Sequence, residues 1–301
     1  MIYLVSLKVL LLVIVTAMGW CAGRLFKINP RDISSLLVYF IAPVVIFEAI
    51  TSSPASFMYV QYSLGAWSCA SLFALLAFYL AKTFWRDQRV HLFSFSGGTG
   101  NTGYFALPLT VSLFDSQHVA IAIFIILGVN LYEFTVGYWI TARGQFDVRT
   151  CYQKISRLPI LYAAAAGMIF KGSAIEVPAY ISEFLILFQG AYSVLGMMVI
   201  GITLAQFLDL KIDWRFLCLS IGWKHLLIPC LGIFIFYYGL HVDAELMKVI
   251  VLMLSTPMAA NIVVLANQLD VHPEIAATTV LFSTCLSLIS VPLALALFLK
   301  F

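Results

Sequence analysis

The chain has 301 residues, of which 62% are hydrophobic and 10% are charged, and its formal net charge is +3. Soluble domains carry about 25% charged residues, so this composition excludes a soluble globular protein and predicts a polytopic membrane protein. The few positive charges form no basic patch, and we expect no nucleic acid partner. The six cysteines have neither metal-ligand spacing nor the spacing of a disulfide framework.

Ten apolar segments are predicted to be helices that span the bilayer. A membrane helix needs about 20 mostly apolar residues, and the sixth segment is the shortest. In chain order, spans 1 to 10 are Leu4–Arg24, Ile33–Ser53, Met58–Lys82, His91–Phe114, His118–Ala142, Leu158–Phe170, Ile181–Gln206, Arg215–Gly239, Ala244–Leu269 and Ile275–Leu299. The predicted fold class is therefore all-α.

The connections between these spans differ strongly in charge. Those on one side hold twelve basic residues: Arg24, Lys27, Arg31, Lys82, Arg86, Arg89, Arg143, Arg149, Lys154, Arg157, Lys211 and Arg215. The other side holds only Lys171, Lys248 and Lys300. Since basic residues mark the cytoplasmic side, we expect a plasma (inner) membrane protein with both termini outside.

The spans divide into two halves of five, residues 1–142 and 158–301, joined by a basic connection at 143–157. An odd number of spans per half means that the second half enters the membrane inverted. Inverted repeats with a binding site near the bilayer midplane are a recurring transporter plan. The sequence therefore predicts two inverted five-helix repeats.

Spans 4 and 9 are interrupted at corresponding places in the two halves. The first interruption, Ser96–Leu109, contains four glycines, an asparagine and Pro108. The second, Leu254–Asn261, contains Pro257. In hydrocarbon, freed backbone groups are tolerated only where they face protein or a watery cavity. Paired interruptions of this kind are the best sequence pointer to a transport site.

The motif at Gly100–Tyr104 and Leu107–Leu109 resembles the fourth-helix motif of the auxin efflux carrier family. Residues similar to those of the family also stand at Ile41–Pro43, Gly201–Ala205, Pro257, Leu265–Asn267 and from Ser283 to Pro292. The family includes plant auxin exporters and bacterial carriers, some of them for malonate or malate. The short connection at 143–157 is similar to that of bacterial members.

The resemblance implies a scaffold of spans 1, 2, 6 and 7 and a transport domain of spans 3–5 and 8–10. In this family the broken helices 4 and 9 cross within the transport domain, which moves like an elevator against the scaffold. The resemblance also implies a homodimer. These properties are expectations that the residues alone do not establish.

Asn101 is the first candidate for substrate binding. In the related auxin carriers the matching asparagine contacts the substrate carboxylate. Independently, a helix break exposes N–H groups where the helix dipole favours an anion, and an amide adds a donor without adding charge. The alternative is that Asn101 only satisfies loose backbone groups at the break.

Other residues of the two interruptions are weaker candidates. Thr102, Thr256 and Asn261 either bind the substrate or pack the helices. Gly100 and Gly103 either let the backbone approach a ligand or let helices pack closely. We expect Pro108 and Pro257 to make the breaks rather than to bind. The candidate residues of the two interruptions are therefore Gly100, Asn101, Thr102, Gly103, Pro108, Thr256, Pro257 and Asn261.

Ionisable residues within spans are costly and are functional candidates by default. Glu133 and Lys224 each lie nine residues from the predicted cytoplasmic end of a span, roughly 13 Å deep. Asn130 lies one turn from Glu133 on the same helix face. This group is either a structural ion pair or a proton-coupling site, and Lys224 could instead complement an anion. Glu48, near the outer end of span 2, either pairs with Lys8 or extends to the interface.

Together these features predict a secondary active transporter of a small organic anion such as a carboxylate. No nucleotide-binding motif is present, so we expect proton or potential coupling and no cofactor. A sodium-coupled carrier related to bile-acid symporters and a membrane sensor that does not transport are the alternatives. A membrane-embedded enzyme is disfavoured because the spans hold no paired aspartates and no HExxH or GxSG motif. The expected partners are a small organic acid, the lipid bilayer and a second copy of the chain.

Overall fold

A computed structural model describes residues 2–52, 60–173, 177–206 and 212–298. The described part of the chain is 86% helical and contains no strand, which confirms the all-α class. The helices are α1 (Ile2–Phe26), α2 (Pro30–Ser52), α3 (Val60–Phe84), α4 (Arg89–Gly98), α5 (102–113), α6 (116–142), α7 (Val148–Ser156), α8 (Pro159–Gly172), α9 (Ala179–Ala205), α10 (Trp214–Gly239), α11 (Ala244–Leu254), α12 (Asn261–Leu269) and α13 (Pro273–Phe298).

Six helices of the described part, α2, α3, α6, α9, α10 and α13, are long and apolar enough to cross a membrane by length and composition. They correspond to predicted spans 2, 3, 5, 7, 8 and 10. Predicted spans 4 and 9 are each represented by two shorter helices, α4 with α5 and α11 with α12. The chain is thus a multi-pass membrane protein, while the count of ten spans and the inverted repeat stay predictions.

The basic connection at 143–157 contains a helix that the polar sequence did not suggest. In α7 the side chain of Asp147 caps the first turn by accepting a hydrogen bond from the backbone N–H of Thr150 at 3.2 Å. The helix is amphipathic, with Cys151 buried and Arg149 exposed. An N-cap and one buried face are enough to form a short surface helix.

Small residues bring α1 and α9 into backbone contact. A Cβ atom added to Gly201 would collide with the carbonyl oxygen of Thr16, and one added to Gly19 would collide with the backbone of Met198. Small residues at helix interfaces allow this approach in membranes, where association depends on packing. The helices α8 and α2 also pack against each other.

We expect Gly201→Val to lower the free energy of unfolding by at least about 2 kcal/mol, because the new side chain would push against the backbone of α1. Gly222→Ala in α10 is the matched control, since a Cβ atom there would have no neighbour within 4 Å. The control should leave stability unchanged or raise it by up to about 1 kcal/mol. Thermal unfolding in detergent measures both, and equal stability of the two variants would contradict the close α1–α9 contact.

Candidate binding site between two helix breaks

The two predicted helix interruptions are both present and touch each other. The helix α4 ends at Gly98 and α5 begins at Thr102, while α11 ends at Leu254 and α12 begins at Asn261. The backbone N–H of Asn101 donates a hydrogen bond to the carbonyl oxygen of Pro257 at 2.8 Å. This bond joins the first break directly to the second.

Side chains from neighbouring helices satisfy the backbone groups that the breaks release. The hydroxyl of Tyr132 donates to the carbonyl oxygen of Phe95 at 3.0 Å, and the indole N–H of Trp223 donates to the carbonyl oxygen of Gly97 at 3.1 Å. In the second break, the N–H of Met258 donates to Ser283 Oγ. Because buried backbone groups need partners, these contacts keep the non-helical segments in one conformation.

The two prolines occupy different positions relative to the breaks. Pro257 lies in the second break and its carbonyl accepts the bond from Asn101. Pro108 lies within α5, where a π-helical turn (Thr102–Ala106) changes to α-helix (Leu107–Leu113). The first break itself spans Thr99 to Asn101, so glycine and asparagine stand at the interruption and Pro108 follows it by two turns.

A cavity of about 450 Å³ opens beside the first break, between α2, α6 and α9. This volume is within the usual range for small-molecule sites, about 300–1,000 Å³. Its described lining includes Gly100 and Gly103 and the polar residues Glu48, Ser52, Asn101, Thr102, Asn130, Glu133, Gln189, Tyr192, Ser193 and Asn261. We call it the amide cavity. Most of the predicted site residues therefore line a single cavity.

Asn101 carries a side-chain donor that the protein leaves unused. The residue is 2% exposed, and its Nδ2 has no hydrogen-bond partner among the described residues. Its backbone N–H and carbonyl are both engaged, the carbonyl with the N–H groups of Phe105 and Ala106. The side chain is therefore not needed to satisfy the loose backbone of the break. A buried donor without a partner costs about 1–3 kcal/mol, and a bound acceptor would remove that cost.

Glu133 is the centre of a hydrogen-bond network that joins three helices to the first break. It is 1% exposed and begins a π-helical turn of α6. Its carboxylate accepts hydrogen bonds from Thr99 Oγ1 and from Asn261 Nδ2. Asn261 Oδ1 in turn accepts a bond from the hydroxyl of Tyr192 on α9 at 2.9 Å. The network thus connects α9, α12, α6 and the segment before Asn101.

The family of the chain is indicated by its similarity to known proteins. Residues 148–295 match a profile described as "Membrane transport protein". This match supports the resemblance to the auxin efflux carrier family. It is 22% identical to an uncharacterized transporter of Methanocaldococcus jannaschii, with 96% of each chain covered. It is 28% identical to an uncharacterized transporter of Methanothermobacter thermautotrophicus over 64% of this chain and 63% of that protein. The chain is therefore a membrane transport protein.

In this transporter Glu133 and Lys224 face two different cavities. Glu133 and Asn130 line the amide cavity, whereas Lys224 lines a second cavity of about 240 Å³. The carboxylate of Glu133 takes Thr99 and Asn261 as its partners rather than Lys224. The two residues therefore lie on different sides of the first break, and their predicted depth in the membrane stays a prediction.

Gly100 separates the two cavities. A Cβ atom on Gly100 would lie 2.5 Å from both Lys224 Nζ and Thr256 Oγ1, whereas one on Gly103 would first meet Ile126 at 3.9 Å. Gly100 is therefore required by close packing, and Gly103 leaves open space in the amide cavity. Thr256 donates to the carbonyl of Met253 at 2.9 Å and does not line the amide cavity.

The amide cavity also contains residues that the sequence analysis did not place at the substrate site. Glu48 is buried in the amide cavity, where it accepts hydrogen bonds from Ser52 Oγ at 2.7 Å and from Gln189 Nε2. The Glu48 side chain thus turns inward, and the side chain of Lys8 lies outside the described residues. Gln189, Tyr192 and Ser193 have helical i, i+3, i+4 spacing. This polar stripe on one face of an apolar span is the sequence pattern from which their place in the site could be predicted.

Proposed function

We propose that this transporter is a secondary active carrier of a small organic anion such as a carboxylate. Asn101 carries this proposal, because it lines the amide cavity and its buried Nδ2 is a neutral donor without a hydrogen-bond partner among the described residues. Thr102, Gly103 and Asn130 line the same cavity and complete the polar surface around the substrate. Asn261 contributes indirectly, since both ends of its amide are bound to Tyr192 and Glu133.

The charge of the amide cavity supports proton coupling. Its described lining contains Glu48 and Glu133 and no lysine, arginine or histidine. An anionic substrate is repelled by an ionised carboxylate next to it. We therefore propose that the substrate binds together with a proton on Glu133. A monocarboxylate would then cross without net charge, and a dicarboxylate would carry one negative charge with it.

The positions of the site residues support an elevator-like movement. Asn101, Glu133 and Asn261 belong to spans of the proposed transport domain, whereas Glu48 and Tyr192 belong to α2 and α9 of the proposed scaffold. The hydrogen bond from Tyr192 to Asn261 joins the two groups. In this proposal the bond breaks when the transport domain moves, and the transporter works as the homodimer that the resemblance implies.

Sodium coupling is a second candidate, favoured by one observation. Two carboxylates and several amide oxygens line the cavity, and oxygen ligands of this kind suit a hard cation. Uptake in vesicles separates the two ions, since only one of the gradients will drive accumulation. A sensor that binds the acid without transporting it would give no accumulation with either ion gradient.

Flux into proteoliposomes tests the proposed function. We expect labelled malonate, malate or a monocarboxylate to accumulate when the outside is acidic, with sodium absent from both sides. Accumulation that requires a sodium gradient would support the second candidate. Binding of these acids without flux would identify a sensor, and the absence of both binding and flux would contradict an organic acid carrier.

We propose that the transporter lies in the plasma membrane with both termini outside, on the basis of its basic connections. The natural thiol of Cys151 is buried, so we expect it to react poorly. Exposed Arg149 lies two residues earlier on α7. Arg149→Cys should react with an impermeant maleimide only from the cytoplasmic side of vesicles of known orientation. Labelling of this variant from outside alone would reverse the proposed orientation.

A further inference from the structure

The second cavity, which we call the lysine cavity, lies on the other side of the first break. It has a volume of about 240 Å³ and is bordered by α3, α10, α11 and the segment from Gly98 to Thr102. Its wall is mainly apolar, with Phe73, Ile228, Ile250 and Met253 among the lining residues. Lys224 is the one charged residue in its described lining.

Lys224 is nearly enclosed and has little hydrogen bonding within the protein. Its side chain is 4% exposed, and the partner that the structure gives Nζ is the carbonyl oxygen of Leu254 at 3.5 Å, the outer limit of a hydrogen bond. A lysine ammonium has three donors. The hydroxyl of Thr256 donates to the carbonyl oxygen of Met253, and no hydrogen bond joins it to Lys224 Nζ among the described residues. A buried charge without a close partner is strongly unfavourable, so an anion in the cavity would be stabilised there.

We propose that the lysine cavity binds a monocarboxylate with a short apolar tail. The carboxylate pairs with the ammonium of Lys224, and the tail occupies the space between α3 and α11. A dry cavity of about 150 Å³ holds benzene, a six-carbon ring, so 240 Å³ suits an acid of about six to eight carbons. This site is distinct from the amide cavity, although Gly100 and Thr102 border both.

A ligand in the lysine cavity would affect transport from the side of the first break that is opposite the amide cavity. It would lie against Gly100 while the substrate lies near Asn101, the next residue. Occupation of the lysine cavity fills the space on one side of the segment that carries Asn101. The site is therefore suited to regulating the carrier by apolar acids that need not be its substrate.

Thermal unfolding of the purified transporter with hexanoate or hexanamide tests the proposal. The two molecules have nearly the same size, but only hexanoate is charged. We expect hexanoate to raise the Tm by a few degrees in a saturable manner, and hexanamide to bind about tenfold more weakly. Equal stabilisation by the two molecules, or none by hexanoate, would overturn the proposal.

Four variants locate the binding. Lys224→Met should lose the response to hexanoate, while Lys82→Met, which removes an exposed lysine from α3, should keep it. Asn101→Ala should also keep it, because it alters the amide cavity. Loss of the response in Asn101→Ala and its retention in Lys224→Met would place hexanoate in the amide cavity and refute this site while leaving the proposed function intact. Cys69→Phe, which fills the lysine cavity from α3, provides a second way to block it.

Discussion

Asn101→Ala is expected to reduce substrate affinity by about 10- to 100-fold while leaving the protein stably folded. The loss follows from removing a donor to a charged acceptor, an interaction that contributes about 1.5–3 kcal/mol. Stability should be unchanged within about 0.5 kcal/mol, because Nδ2 has no partner among the described residues. Equilibrium binding of the transported acid and thermal unfolding in detergent measure the two effects.

Asn267→Ala is the matched control for this prediction. Asn267 is also a buried asparagine, but its Nδ2 donates to Thr203 Oγ1 and to the carbonyl of Val263, both at 2.9 Å. Its loss should lower the free energy of unfolding by about 1–3 kcal/mol and leave substrate affinity unchanged. If Asn101→Ala destabilised the fold and Asn267→Ala removed binding, the roles assigned to the two amides would be wrong.

Glu133→Gln is expected to remove the pH dependence of transport. In the wild type, substrate binding together with a proton means that the rate rises as the pH on the substrate side falls, by up to about tenfold per pH unit while Glu133 is ionised. Glutamine resembles the protonated carboxyl but cannot release a proton. The variant should therefore bind substrate at high pH yet fail to accumulate it in response to a pH gradient.

Glu48→Gln provides the comparison within the same cavity. Glu48 lies on α2 and is bound to Ser52 and Gln189 rather than to residues of the helix breaks. This variant can change the affinity for substrate, but the pH profile should keep its wild-type shape. Proteoliposome uptake from pH 5 to 8 measures both variants. A wild-type profile in Glu133→Gln would show that Glu133 has only a structural role.

The breaks illustrate what could be predicted along the chain. Glycine and proline weaken a helix for local reasons, since one adds backbone freedom and the other removes a donor. The interruptions near Asn101 and Pro257 were therefore visible in the sequence. The π-helical turns that begin at Glu133 and Trp223 carry no such signal, because an extra residue in a helical turn is stabilised by the packing around it.

The buried charges show the limit of this reasoning. The predicted depth of Glu133 and Lys224 in the membrane comes from counting residues along a helix of known rise. Their direction does not, because it depends on how each helix is rotated against its neighbours. The carboxylate of Glu133 meets Thr99 and Asn261, which are 34 and 128 positions away in the chain, and Lys224 faces a different cavity.

The sequence by itself determined the all-α membrane class, the two interrupted spans and Asn101 as the leading candidate, because composition and local backbone chemistry decide these features. The tertiary structure alone decided that the two breaks meet through Asn101 and Pro257. It also decided that Asn101 Nδ2 has no partner among the described residues and that Glu48, Gln189 and Tyr192 share the cavity of Asn101. These facts depend on the rotation and packing of helices that are distant in the chain, and no local pattern encodes them.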